Sequence, residues 1–131
     1  MSSIFSRIIS GEIPCYKIAE DASFLAFLDI NPLVEGHALV IPKKEIDYIF
    51  DIDDALLKDM IVFSKKVANR IQKAIPCKRI GLTVIGLEVP HSHIHLVPMQ
   101  SMEDMNFSNI KLVLSSSQLE GIQTKINAIS E

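Results

Sequence analysis

Three of the four histidines in the chain lie at alternate positions in one short stretch, as His91, His93 and His95. In an extended strand, alternate side chains point to the same face of the sheet, with about 6.5 to 7 Å between neighbours. In a helix the same positions would point in widely different directions. We therefore predict a strand over residues 92–97 that places three imidazoles in a row and turns the intervening side chains toward the core.

A row of imidazoles can support two kinds of chemistry. Neutral imidazole, with a reference pKa of about 6.5, is a nucleophile at pH 7, and phosphorus is a suitable electrophile for it. The middle ring, His93, would attack with one nitrogen while the other donates its proton to a backbone carbonyl, and the flanking rings would donate to phosphoryl oxygens. Histidine is also a common zinc ligand, so a zinc hydrolase built on two of these rings and a distant third ligand is the other hypothesis.

The composition indicates a soluble single-domain protein. The chain has 131 residues, of which 48% are hydrophobic and 22% charged, values typical of globular domains. A net charge of −3 argues against a nucleic-acid-binding surface, and no apolar run approaches the roughly 18 to 20 residues of a membrane span. The N-terminus lacks the apolar core of a signal peptide. We therefore expect a cytoplasmic protein, with Cys15 and Cys77 reduced.

Periodicity and turn residues predict an α+β fold. The elements predicted, in chain order, are a helix at 4–9, strands at 16–20, 23–29 and 37–42, a long helix at 53–75, strands at 79–85 and 92–97, and a C-terminal helix that includes 119–129. Asp53 is the predicted N-cap of the long helix, and Ser117 with Glu120 forms a predicted capping box for the last one. Short strands in succession favour antiparallel pairing, with the helices packed on the sheet.

The stretch His91–Val97 resembles the H-φ-H-φ-H-φ-φ signature (φ apolar) of the histidine-triad (HIT) superfamily. Other segments resemble the family in the same order along the chain: the opening helix at 4–14, an acidic turn at 27–32, the G-H-x-L-V-I-P-K segment at 36–43, and the approach to the triad at 86–90. The resemblance covers residues 4 to about 98. It implies a single HIT domain over 1–131, in which 99–131 form a tail and a helix.

The resemblance also implies an architecture and an activity. The architecture is a HIT-like fold, a five-stranded antiparallel sheet with a long helix and N- and C-terminal helices, in a homodimer. The activity is hydrolysis at the α-phosphorus of purine nucleoside monophosphate derivatives through a covalent nucleotidyl-histidine, as in a phosphoramidase. No cofactor, metal, nucleic acid or membrane is implied. His95 favours the hydrolase branches, because the galactose-1-phosphate uridylyltransferase branch has Gln at that position.

The resemblance assigns a role to every histidine. His93 is the nucleophile, His95 contacts the phosphate, and His91 holds His93 through its backbone carbonyl. His37 meets the triad from a neighbouring strand, and Asp29 accepts hydrogen bonds from the ribose hydroxyls. The apolar residues that match the walls around the base are Phe5, Ile8, Ile13 and Ile30, although their pattern taken alone favours ordinary core packing.

The chain departs from the family pattern just before the triad. Leu87 stands where many members have Gln, and an Asn of the preceding loop is missing. Glu88 stands where some branches have a hydroxyl, and a carboxylate there repels phosphate unless it points away or protonates an amine leaving group. Ser3 and Ser6 replace the N-terminal cysteines with which some relatives hold zinc, so we expect no such site. These departures leave a nucleotide-binding regulatory module with weak catalysis as the alternative function.

Overall fold

A computed structural model describes residues 2–130 of the chain. The helices and strands, in order, are α1 (Ile4–Ile9), β1 (Lys17–Glu20), β2 (Phe24–Leu28), β3 (Ala38–Pro42), α2 (Asp54–Ala74), β4 (Arg79–Thr83), β5 (Ile94–Met99) and α3 (Ser116–Asn127). Short 3-10 helices lie at Ile49–Asp51 and Met102–Met105. No helix in this part of the chain combines the length and hydropathy of a membrane span.

The five strands form one antiparallel sheet in the order β1-β2-β3-β5-β4. This arrangement confirms the predicted α+β class and the five-stranded antiparallel sheet. β3 and β5 are neighbours although they are distant in sequence, and their register places Leu39 opposite His95. β4 forms an open edge of the sheet.

The sheet separates two apolar cores, and the side chains of β2 alternate between them as a pleated strand requires. Phe24, Ala26 and Leu28 belong to the larger core under α2 and α3. Leu25 and Phe27 belong to a smaller core on the opposite face, which Phe5 of α1 also joins. Because both faces are covered, every residue of β2 is buried.

Helix α2 covers the larger core with one face. Asp53 caps its N-terminus, as predicted, and the Asp53 carboxylate accepts the Leu56 backbone N–H at 2.9 Å. The buried side chains on the core-facing side recur at intervals of three and four residues, as the helical period requires; they are Met60, Ser64, Val67 and Ile71.

Two local predictions need correction. β5 begins at Ile94, so His91 and His93 precede the strand instead of lying within it. The capping box of α3 is formed by Ser115 and Gln118, not by Ser117 and Glu120, because the Ser115 hydroxyl accepts the Gln118 N–H at 3.1 Å and the Gln118 side chain accepts the Ser115 N–H at 2.8 Å. The helix therefore begins earlier than predicted, and it ends before residue 129.

Candidate active site

A cavity of about 620 Å³ opens on the face of the sheet that carries α1. Three of the four histidines, His37, His93 and His95, line this cavity. The rest of its wall is mostly apolar and comes from α1, the strand β2, the approach to β5 and the segment after β5. A concave, largely apolar space with a few converging polar groups is the usual form of a small-molecule site.

The His93 ring is held in one tautomer. Its Nδ1 lies 2.8 Å from the carbonyl oxygen of His91, and because a carbonyl can only accept, Nδ1 carries the proton. Nε2 then has a free lone pair. Nε2 has no hydrogen-bond partner among residues 2–130, yet it is not fully buried. The one fully buried side-chain nitrogen or oxygen without a partner in this part of the chain is Arg70 Nε. In its neutral form, His93 therefore presents the lone pair of Nε2 to the cavity.

The His91 ring points away from the cavity, into the protein. Its Nε2 donates to the carbonyl oxygen of Pro42 at 2.8 Å, and its Nδ1 accepts from the hydroxyl of Ser3 at 2.8 Å. Burial lowers the pKa of His91. The three triad rings thus do not form the simple row predicted from the sequence, because the first two precede the strand. The rings of His93 and His95 still meet edge to face, with centroids 4.9 Å apart.

A network at the N-terminus fixes His91 in turn. The Ser3 hydroxyl that donates to His91 also accepts the Ser6 N–H at 3.0 Å and so caps α1. The Glu45 carboxylate accepts the Ser3 N–H at 2.6 Å and the Ser6 hydroxyl at 2.8 Å. Helix α1 and the triad are therefore joined by polar contacts as well as by packing.

His37 and His95 are joined by a hydrogen bond whose donor and acceptor can be assigned. The backbone N–H of Leu33 donates to Nδ1 of His37 at 3.0 Å, so the neutral His37 ring carries its proton on Nε2. Nε2 of His37 lies 3.0 Å from Nδ1 of His95, to which it donates. The proton of neutral His95 is therefore on Nε2, where it can donate to a ligand.

Burial keeps this pair neutral at pH 7. Burial, with a smaller contribution from the charge of Lys111, lowers the pKa of His37 to about 4. Burial, with smaller contributions from His93 and His37, lowers the pKa of His95 to about 3. At neutral pH, His95 is therefore a hydrogen-bond donor without a formal charge.

Asp29, His37 and His95 are close enough to be considered as metal ligands, since their ligand atoms lie within 4.8 Å of one another. The hydrogen bonds argue against this role. A metal at Nε2 of His37 would move the ring proton to Nδ1, where it would face the Leu33 N–H donor. The zinc alternative drawn from the sequence is therefore disfavoured at this cluster.

Only some of the residues predicted to form the nucleotide pocket line the cavity. Asp29, Phe5 and Ile30 line the cavity, whereas Ile8 and Ile13 are not among its lining residues. Ile8 packs against the smaller core. Lining residues that the sequence did not single out for this pocket include Ile4, Pro14, Cys15, Phe27 and Leu39.

The Asp29 carboxylate is partly buried and faces the cavity. It accepts the Asn31 N–H at 2.9 Å and lies 3.7 Å from Nε2 of His37. Burial raises the pKa of Asp29, and this hydrogen bond and nearby positive charge oppose the shift. Its position suits a hydroxyl donor from a ligand.

The two departures from the family pattern lie at the rim of the cavity. Leu87 and Glu88 are both lining residues, and both are exposed. Leu87 is 88% exposed, so packing in the core does not explain why a leucine occupies this position.

Two lining residues come from a segment that the sequence reasoning did not connect to the site. Phe107 packs edge to face on His95 and His37, with ring centroids 4.9 Å and 5.9 Å apart. Lys111 reaches the same cavity. No periodic pattern or motif marks these positions, because the segment is irregular and its contacts are with distant parts of the chain.

Sequence comparison with known proteins identifies relatives of this chain. The model of the HIT domain family matches residues 10–102. The adenosine 5'-monophosphoramidase of Schizosaccharomyces pombe is 39% identical over 108 residues, which cover 79% of this chain and 78% of that protein. The adenylylsulfatase of Arabidopsis thaliana is 32% identical over 127 residues, 88% of this chain and 64% of that protein.

Solved structures show the same fold. A HIT-like protein from Bartonella henselae, described as involved in cell-cycle regulation, has a TM-score of 0.84 and 32% identity, covering 97% of this chain and 95% of that one. Its similarity extends beyond the residues that the family model matches. With the triad, the sheet order and the sequence match in agreement, the chain belongs to the HIT domain family.

Proposed function

We propose that this protein hydrolyses purine nucleoside monophosphate derivatives at the α-phosphorus, with His93 as the nucleophile. The relatives named as an adenosine 5'-monophosphoramidase and an adenylylsulfatase support a nucleotide hydrolase in general. They differ in the leaving group, which is an amine in one name and a sulfate in the other. The common part is the adenylyl group, and this is the part we assign to the cavity.

The observation that carries the proposal is the pair of opposite tautomers at the cavity wall. His93 presents a lone pair on Nε2 because Nδ1 donates to the His91 carbonyl. His95 presents an N–H on Nε2 because Nδ1 accepts from His37. A nucleophile beside a donor, with ring centroids 4.9 Å apart, suits attack on a phosphoryl group whose oxygen gains charge in the transition state.

Two displacements complete the reaction. In the first, the lone pair on Nε2 of His93 forms a bond to the α-phosphorus, and the bond from phosphorus to the leaving atom breaks with its electron pair going to that atom. When the leaving atom is an amine nitrogen, it takes up a proton from water as the bond breaks. The His91 carbonyl stabilises the positive charge that develops on the His93 ring. In the second, water attacks the phosphorus and loses a proton to the solvent. The P–N bond breaks with its electron pair returning to Nε2, so that the nucleoside monophosphate and neutral His93 are released.

The mostly apolar wall suits a base, and the Asp29 carboxylate suits a ribose hydroxyl. Phe5 packs edge to face on His93, with centroids 5.0 Å apart, so the same residue shapes the pocket and holds the nucleophile. Apolar contacts of this kind recognise shape rather than hydrogen-bond pattern, which fits purines without strong discrimination between them.

Replacement of His93 by Ala tests the function. With adenosine 5'-phosphoramidate as substrate, we expect kcat to fall by roughly a thousandfold or more, because the bond-forming atom is removed. Calorimetric binding of AMP should change little, since the variant keeps the cavity walls. Ser10→Ala, an exposed substitution, serves as the matched control. Turnover by His93→Ala at the rate of the control would refute the assignment.

The alternative is a nucleotide-binding module with weak catalysis. The exposed Leu87 and Glu88 at the rim favour it, because neither side chain can donate a hydrogen bond to phosphate at neutral pH. Wild-type protein that binds AMP but does not hydrolyse either an amine or a sulfate conjugate of AMP would select this function.

We also propose that the chain forms a homodimer through the open edge of the sheet. Beside β4 lies an apolar groove of about 430 Å³. Its exposed apolar side chains come from the first 3-10 helix and the residue before it, from α2, and from β4 and the residues just after it; they include Tyr48, Phe50, Ile61, Leu82 and Ile85. An open edge strand presents unpaired backbone groups, and a second copy of the same edge satisfies them by two-fold symmetry. The occupant we assign to this face is therefore another copy of the chain.

A further inference from the structure

The segment that follows β5 crosses the mouth of the active-site cavity. The Phe107 side chain packs on His95, and the Leu112 N–H donates to the carbonyl oxygen of Pro32 at 2.8 Å. The segment is thus attached at both the catalytic histidines and the loop that follows Asp29. It lies beyond residues 10–102, which the family model matches.

Lys111 projects from this segment into the cavity. Its ammonium donates to the backbone carbonyls of Phe107 at 2.5 Å and Asn109 at 3.1 Å. An ammonium has three N–H donors, so one is left over. Within residues 2–130, no carboxylate oxygen lies within 4.0 Å of this nitrogen. Lys111 is therefore half-buried, positioned by its own backbone, and without a counter-ion.

The charges around the cavity show why this cation matters. Asp29 and Glu88 contribute carboxylates to the lining, and Lys111 is the one Lys or Arg among the described lining residues. The pKa values of His37 and His95 are lowered to about 4 and about 3, so these rings carry no charge at pH 7. An anionic phosphate would otherwise enter a site that holds two carboxylates and mostly neutral donors.

The field of Lys111 already reaches the site. Next to burial, its charge is the cause that lowers the pKa of His37, and it also opposes the raised pKa of Asp29. Lys111 is therefore close enough to Asp29 and His37 to act on charges inside the cavity. Nothing in the local hydrogen bonding requires a lysine rather than a neutral donor.

We propose that Lys111 binds the α-phosphate of the nucleotide. It supplies the positive charge that Leu87 and Glu88, just before the triad, do not provide. The inference rests on the proposed function, since it names a residue that recognises the same substrate. Lys111 is a specificity residue for the phosphate group. The base and ribose make their contacts elsewhere in the cavity.

Calorimetry with two probes, AMP and adenosine, tests this assignment. The variants are Lys111→Gln, which keeps donors for the two carbonyls but removes the charge, and Lys111→Arg, which keeps the charge. Lys125→Gln, at the exposed end of α3, is the matched control. We expect Lys111→Gln to weaken AMP binding by roughly tenfold, the effect of one lost charged hydrogen bond, and to leave adenosine binding unchanged. Lys111→Arg should retain most of the AMP affinity.

Salt provides a second readout. AMP affinity of the wild type should fall as ionic strength rises, and Lys111→Gln should show a weaker dependence. Equal losses for AMP and adenosine in Lys111→Gln would show that Lys111 only holds the segment in place and would overturn the inference, as would unchanged AMP binding. Wild-type protein that binds adenosine but not AMP, or neither, would instead overturn the proposed function and the inference with it.

Discussion

His37 and His95 are held as neutral rings inside the protein, and this state makes stability depend on pH. The His37 ring is almost fully buried and its pKa is lowered from 6.5 to about 4, first by burial and then by Lys111. The unfolded chain takes up this proton near pH 6.5, whereas the folded chain does not. The stabilisation is therefore complete above about pH 6.5 and is lost as pH falls toward 4.

The substitution His37→Asn tests this dependence, because the Asn side-chain oxygen can replace Nδ1 as acceptor for the Leu33 N–H. In wild type, His37 should contribute a decrease in the free energy of unfolding of about 1 kcal/mol per pH unit, averaged between pH 6.5 and 5. The variant should lack this contribution. Urea titrations at pH 6.5 and 5 measure the slopes, and equal slopes for the two proteins would show that His37 is not held neutral.

Helix α1 illustrates how a short element acquires a role at the site. Its six residues are too few for a stable isolated helix, so packing and capping must hold it. Phe5 packs on His91 and His93, and the Ser3 hydroxyl serves both as N-cap and as donor to His91. Loss of that hydroxyl removes two interactions at once.

Ser3→Ala should therefore lower the free energy of unfolding by about 1 to 2 kcal/mol, the combined effect of a lost cap and an unsatisfied buried imidazole nitrogen. Ser10→Ala, at the exposed C-terminal end of the same helix, should change it by less than about 0.5 kcal/mol. Equilibrium unfolding in urea measures both. A loss for Ser3→Ala no larger than that for Ser10→Ala would contradict the dual role of the hydroxyl.

The elements that the sequence predicts best are those with a strong local signal. The long helix has a regular apolar period and a good N-cap, and its observed bounds differ from the prediction by one residue at each end. The end of a strand is harder to predict. His91 and His93 alternate as strand residues do. The His91 ring nevertheless leaves the expected row, because it donates a hydrogen bond to the Pro42 carbonyl and accepts one from the Ser3 hydroxyl, and both residues are distant in sequence.

The residues of the site also differ in how well the sequence predicts them. The histidines could be identified because their spacing is improbable and specific. Ile8 and Ile13 could not be separated from core residues, because an apolar side chain carries no sign of whether a cavity or another side chain lies beside it. Phe107 and Lys111 reach the site by a path of the chain that only tertiary contacts define.

At the scale of the whole molecule, the edge of the sheet formed by β4 carries exposed apolar side chains. β4 ends the strand order, and Leu82 within it is about half exposed, at 49%. Apolar side chains from the neighbouring helices adjoin it. An exposed edge of this kind invites association with another chain unless it is covered, which is the basis of the proposed homodimer.

Leu82→Glu should convert the dimer to a monomer, because it places two carboxylates at a symmetric apolar contact. Light scattering should give twice the 14.6 kDa chain mass for wild type and a single chain mass for the variant. Val113→Glu, at another exposed apolar position that does not line this groove, is the control and should remain dimeric. A wild-type monomer, or a dimeric Leu82→Glu variant, would contradict an interface at this edge.

The central claim is that the phosphorus passes through a covalent bond to His93, and the stereochemical course of the reaction tests it most directly. The substrate is one P-diastereomer of an adenosine 5'-phosphorothioate amine conjugate, hydrolysed in isotopically labelled water. Two in-line displacements each invert phosphorus, so the account predicts net retention of configuration in the thiophosphate product. Net inversion would mean that water attacks directly in a single displacement, and it would contradict a nucleophilic role for His93.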